Sequence, residues 1–313
     1  MKEQIRTLLQ SADITFIQQG VILNESLEPP LFSPEEIVSL IRQEFLTLQK
    51  SFNSVREVHF FLLEKYHGTG FEDLEQLELA KIAYLPECIG CLSNLRSLRL
   101  YRSARSALTS LPETIGNLTK LEKLRLGQSQ LHSLPASIGQ LKALHTIEIR
   151  KSQLRELPAQ ICSLPRLTEL TVRNSPLKQL PEDIGACAKL QTLILDKTQI
   201  LTLPESISRL SELTYLGLNH TQISSFPASF GQLERLGWLS LRNTTLTEIP
   251  EILSKLPGLS FLSLINTPIT RLPEWLLDMP SDMQIELSSQ QMHSIEIPES
   301  IQKSPKITVH LDS

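Results

Sequence analysis

SQLHSLPASIGQLKALHTIEI occupies residues 129–149, and SQLRELPAQICSLPRLTELTV occupies residues 152–172. Leu, Leu-Pro, Ile and Leu return at the same intervals while nearly every letter between them changes. Outward from this pair, Leu121, Leu144, Leu167, Leu190, Leu213, Leu236 and Leu259 recur every 23 residues, and each opens the pattern LxxLxL, with Ile or Val for later leucines in LHTIEI and LTELTV. Further copies open at Leu74 and Leu95. DMQIEL from Asp282 reads as a degenerate copy, ITVHL from Ile307 as the last strand and VREVHF from Val55 as the first. One such unit cannot bury its own leucines, so the repetition predicts a stack whose neighbouring rungs close a continuous core.

Each fixed letter has a physical task. In LEKLRL, Leu124 and Leu126 alternate with Lys123, Arg125 and Gly127, so a strand there turns its leucines inward and the other side chains onto an open sheet face. Three positions after the last strand leucine stand Ser129, Ser152, Ser175, Thr198, Thr221, Thr244 and Thr267, a file of hydroxyls suited to bonding the turn backbone of their own and neighbouring rungs. The Leu-Pro step ends the extended stretch and opens a helical turn. Glu follows that Pro in seven of ten copies (Glu87, Glu113, Glu182, Glu205, Glu251, Glu274 and Glu299), where a carboxylate favours the dipole of its own turn.

Residues 1–54 lack the period. SPEEIVSLIRQEFLTLQKSF has Ser33, Pro34 and Glu36 in capping-box positions and Ile37, Leu40, Ile41, Phe45 and Leu48 on one helical face. A terminal rung exposes its core edge, so this helical segment is expected to cap a solenoid over 55–313, with a helical partner-binding or targeting segment as the alternative. The expected fold is α/β: a parallel sheet on the concave side, roughly 50 Å along the stack, with short helical or 3-10 turns on the convex side.

The unit LxxLxLxx(S/T)xLxxLPxxIGxL resembles the 23-residue leucine-rich repeats of plant intracellular Ras-group proteins and animal Ras-pathway scaffolds. It is also similar to the repeat domains of effectors injected by bacterial pathogens, notably ubiquitin ligases of the XopL type. The resemblance implies a protein-interaction scaffold working inside a cell, delivered into a host in the effector case. In the ligase effectors a separate catalytic region follows the repeats. Here the repeats run almost to the C-terminus, so the alternative reading is the substrate-recognition part of such a ligase, without its catalytic region.

The letters that vary describe the partner surface. Tyr215, Trp238 and Phe261 occupy the same strand position on three successive rungs of a chain that is only 5% aromatic. Gly217, Ser240 and Ser263 stand beside them, and such small neighbours are expected to leave the rings uncovered as anchors for a protein partner. Stacking of the rings on one another, merely stiffening the sheet, is the competing use. Asn219 and Arg242, on the Tyr215 and Trp238 rungs, join the candidate set. An earlier zone is basic: Arg96, Arg99, Arg102, Lys123, Arg125, Arg150, Lys151 and Arg173. Of these, Arg99, Arg102, Arg125, Arg150 and Arg173 are the candidates for an acidic or phosphorylated partner. Glu78, Glu148 and Asp196 stand beside Arg99, Arg125 and Arg173 and could instead consume that charge.

A net charge of −4 suggests neither a nucleic-acid binder nor a membrane-surface protein, and no apolar run is long enough to span a bilayer. With 41% hydrophobic and 20% charged residues, the chain is that of a folded, soluble protein, and its opening lacks the apolar core of a secretory signal, so a cytosolic location is expected. Cys88, Cys91, Cys162 and Cys187 do not form a disulfide framework, and the lone CxxC at Cys88 and Cys91 lacks the second ligand pair of a zinc site. Cys187 replaces a repeat leucine and is expected to be a small core residue. The seven histidines are scattered, with no HExxH, nucleophile motif or Gly-rich phosphate loop. The chain is therefore expected to be non-enzymatic, without catalytic residues, cofactor or metal, and its partner a protein on the concave face. Oligomeric state is left open.

Overall fold

A computed structural model of the chain describes residues 1–10, 14–48, 74–80, 82, 84–101 and 108–312. Arg102 and the strand expected from Val55 lie outside these residues. Three helices come first: α1 (Lys2–Leu9), α2 (Ile14–Glu25) and α3 (Pro34–Leu48). The sequence had singled out only α3. Its capping box forms, with the Ser33 N–H donating to Glu36 Oε2 at 2.8 Å and the Glu36 N–H to Ser33 Oγ at 3.2 Å. Ile5, Leu9, Ile17, Val21, Ile37 and Ile41 are all buried, so each helix turns an apolar face inward.

Among the described residues, eleven strands then make one sheet in strict chain order, and every strand pair is parallel. Five strands have five residues: β1 (Gln76–Ala80), β2 (Ser97–Tyr101), β3 (Lys123–Gly127), β4 (Thr146–Arg150) and β5 (Glu169–Arg173). Four have three: β6 (Thr192–Ile194), β7 (Tyr215–Gly217), β8 (Trp238–Ser240) and β9 (Phe261–Ser263). The degenerate copies become β10 (Met283–Ser288) and β11 (Ile307–Asp312). Between strands, the chain returns through 3-10 turns such as Glu113–Asn117 and Glu205–Arg209, each entered from a proline in extended geometry. A single short helix, α4 (Glu299–Gln302), takes that place before β11.

This is the leucine-rich-repeat solenoid that the period predicts. Leu124, Ile147, Leu170, Leu193, Leu216, Leu239, Leu262 and Ile285 form one fully buried column, joined in the same core by a buried turn residue from each rung, Ile in most turns and Leu253 and Leu276 in two. Phe230 takes the place of that Ile on its rung, and Cys187 that of a leucine; both are fully buried. Turns pack tightly in file. A Cβ added to Gly185 would sit 2.1 Å from the Ser206 carbonyl oxygen of the next turn, which explains why that landmark is glycine.

Side chains brace the turn within each rung and also cross between rungs. Thr198, Thr221, Thr244 and Thr267 are buried and donate to the carbonyls of Leu195, Leu218, Leu241 and Leu264 at 2.6 to 2.8 Å. Ser152 and Ser175 join hydroxyl to hydroxyl across rungs at 2.8 Å. On the convex side two members of the acidic file do something their sequence position did not disclose. Glu113 accepts from the Ser137 N–H at 3.0 Å, and Glu205 accepts from the N–H groups of Ala228 and Ser229 at 3.2 Å. Each carboxylate thus caps the turn of the following rung.

Candidate functional site

Register puts the aromatic trio side by side: Tyr215 pairs with Trp238, and Trp238 with Phe261. Tyr215 and Trp238 have ring centroids 6.1 Å apart and planes 24° apart; Trp238 and Phe261 are at 3.6 Å and 19°. Strand side chains stand roughly perpendicular to their sheet, so rings stacked along the solenoid turn their faces to one another and their edges to the concave side. Stacking and exposure therefore coexist, and Trp238 remains 43% exposed.

The small neighbours act differently from the expectation. Gly217, Ser240 and Ser263 are buried rather than open, and a Cβ on Gly217 would lie 3.3 Å from Tyr215 Cε1. At Gly217, absence of a side chain lets the tyrosine ring settle over the strand. Partial burial, followed by the negative charge of Asp196, pushes the Tyr215 phenol above its ordinary pKa, which keeps it a hydrogen-bond donor.

The polar residues beside the rings are engaged within the molecule. Asn219 Oδ1 accepts from Ser240 Oγ at 2.6 Å and from the Arg242 N–H at 2.9 Å, while Asp196 Oδ1 accepts from the Asn219 N–H at 3.0 Å. Arg242 reaches past β9 to Glu286, 3.7 Å away. Beyond them runs a file the sequence reading missed: Gln128, Lys151, Asn174, Lys197, His220, Asn243 and Asn266 all have φ between 50° and 56°. This left-handed turn brings each N–H to the rung ahead, as in Lys197 N–H to Asn219 O at 2.7 Å and His220 N–H to Arg242 O at 2.7 Å. Its signal was present in the letters, since no β-branched residue occurs in the file and Asn and His, tolerant of this backbone, fill four of its seven places. Burial, and then the neighbouring Lys197 charge, lower the His220 pKa, and its Nε2 lies 3.3 Å from Asn243 Nδ2.

The basic zone is largely laced into cross-rung pairs. Arg99 donates to Glu78 at 3.1 Å, and Arg173 lies 2.9 Å from Asp196. Glu148 is shared between Arg125, at 3.3 Å, and Arg150. Arg96 pairs with Glu122 and Glu75. The sequence reading named the competitors of Arg99, Arg125 and Arg173 but not the choice that Glu148 makes between two arginines. Among the described residues, no group of three His, Cys, Asp or Glu side chains is gathered for a metal. The four cysteines are free thiols; a hydrogen bond between Cys162 and Cys187 lowers the first thiol and, with burial, raises the second.

Residues 165–223 match the family model for leucine rich repeats. No curated protein matches the chain significantly. Among solved structures, the plant peptide hormone receptor RGFR1 in complex with RGF2 is 24% identical, with a TM-score of 0.58 over 77% of this chain and 41% of that one. A TDR receptor is 22% identical, with a TM-score of 0.57 over 80% of this chain and 49% of that one. A leucine-rich-repeat protein of Leptospira interrogans is 24% identical, with a TM-score of 0.48 over 86% and 82%. The chain spans less than half the length of the two receptors, and the likeness is one of fold. No helix among the described residues is long and apolar enough to cross a membrane.

Proposed function

We propose that this chain is a non-enzymatic recognition scaffold that takes a partner protein against the concave face of its sheet, with the stack of Tyr215, Trp238 and Phe261 as the anchor. The observation that carries this reading is Trp238, 43% exposed in the middle of a stack whose other polar neighbours are already bonded. A large ring on a preformed, well-packed surface is the residue type that dominates protein interfaces. Ring edges carry the positive rim of the quadrupole, which suits backbone carbonyls, methionine sulfur and aliphatic side chains. Ring faces turned to one another are poorly placed to stack nucleobases, which favours a protein over a nucleic acid. One receptor of similar fold was solved in complex with RGF2, a parallel at the level of fold.

Within this reading, residues 1–54 serve as the helical cap of the solenoid over 55–313, and the chain works in a cytosol. Delivery into a host cell as an effector, and service as the substrate-recognition part of a ubiquitin ligase, extend the proposal on the resemblance of the repeat unit. The test compares affinity capture by the native chain and by a triple Tyr215→Ala, Trp238→Ala, Phe261→Ala form with unchanged circular dichroism. A partner held by the first and lost by the second is expected; the same partner held equally by both would overturn the anchor. Ubiquitin transfer by the chain alone would overturn the non-enzymatic assignment.

A further inference from the structure

A second feature of the concave face lies toward its other end. Between β2, β3 and β4 there is a concavity of about 420 Å³, lined by Arg99, Arg125, Arg150 and Lys151 with Glu148 as its carboxylate. Glu148 divides its two oxygens between Arg125 and Arg150, and Arg99 takes Glu78 on the rung behind. The Arg150 side chain is still 53% exposed, and among the described residues no carboxylate pairs with the exposed Lys151. Arg125, Arg150 and Lys151 thus have one carboxylate, Glu148, among them at the concavity, with Arg99 and its partner Glu78 at its edge.

We propose that this concavity binds a phosphorylated side chain of the partner protein. A phosphate brings nearly two negative charges and three acceptor oxygens, against the single charge and two oxygens that Glu148 supplies. Guanidinium groups on neighbouring rungs present planar forks suited to such oxygens, and the Lys151 ammonium adds a mobile point charge. Lys151 owes its position to the left-handed turn at φ 53°, whose N–H is held by the Arg173 carbonyl at 2.8 Å. The proposal rests on the concave-face reading for its partner and adds spacing to it. Four rungs separate β4 from β8, about 19 Å, so an extended partner segment would carry its phosphate roughly six residues from the side chain that meets Trp238.

The test uses three fluorescein-labelled Gly-Ser peptides, alike except for a central phosphoserine, glutamate or serine, and reads anisotropy. These peptides lack an apolar anchor, so failure at the aromatic stack and failure here are separable. Saturable binding of the phosphoserine peptide is expected, about tenfold tighter than that of the glutamate peptide, in keeping with the added charge and acceptor. Arg125→Gln with Arg150→Gln should abolish it, and Lys151→Gln, which breaks no ion pair among the described residues, should weaken it severalfold. Glu148→Gln should tighten it by removing the competing carboxylate. A site built only for stability would leave the phosphoserine peptide unbound by both the native chain and Glu148→Gln, and that result overturns the proposal. Equal binding of the glutamate and phosphoserine peptides, or an equal loss on Arg235→Gln, overturns it as well.

Discussion

Lys197 holds a backbone that its own side chain disfavours. At φ 56° its Cβ crowds the following carbonyl, a cost of about 1–2 kcal/mol that glycine avoids, while glycine forfeits about half as much in the unfolded chain. Lys197→Gly should therefore raise stability by up to about 1 kcal/mol in urea unfolding, because the N–H bond to Asn219 survives. A destabilised variant would mean that the lysine stem makes contacts worth more than the strain. Trp238 belongs to the opposite class of residue, exposed where the fold does not require it. Trp238→Ala should cost about 2 kcal/mol of partner affinity, some thirtyfold, measured by calorimetry on the captured partner. Its folding free energy should change less than that of a core truncation.

The turns show how an element is completed by the rung after it. Glu113 and Glu205 accept hydrogen bonds from the neighbouring turn, chiefly from Ser137 and Ser229, and these bonds hold both carboxyls below the ordinary carboxylate range. A carboxyl whose folded pKa is depressed contributes stability above its unfolded pKa and loses it as pH falls through the folded one. The melting temperature should thus fall on acidification from about pH 5 downward, and the fall should be smaller in a Glu113→Gln, Glu205→Gln double variant. An identical acid profile in the two proteins would remove these bonds from the account. The letters indicated an acidic file at the turn starts; they could not indicate that its oxygens serve the next rung, since that depends on how far one turn is displaced over another.

Across the whole molecule, each rung contacts chiefly its neighbours, so stability accumulates along the stack and a fault in the middle divides it. Leu216, fully buried between the equally buried Leu193 and Leu239, is the place to measure this. Leu216→Ala should cost about 2–5 kcal/mol in chemical unfolding. It should also speed amide exchange in β6, β7 and β8 more than in β2. Uniform acceleration across the sheet would instead indicate one all-or-none unit.

The recurring LxxLxL pattern, 23 residues apart over most of the chain and 26 apart between β2 and β3, by itself determined the parallel sheet, its chain order and its register. Tyr215 beside Trp238 beside Phe261, and Arg99 beside Arg125 beside Glu148, follow once leucines at fixed spacing must share one core. The hydroxyl file and the α3 capping box were legible for the same reason, because each depends on residues at fixed local offsets. Only the tertiary structure decided that the rings stack in nearly parallel planes along the sheet, that Glu148 divides itself between two arginines, and that Asn219 spends its oxygen on Ser240 and Arg242. Those outcomes depend on rotamers, and a rotamer on this sheet is chosen by side chains one full repeat away, across contacts of a few ångströms to which the spacing of letters is blind.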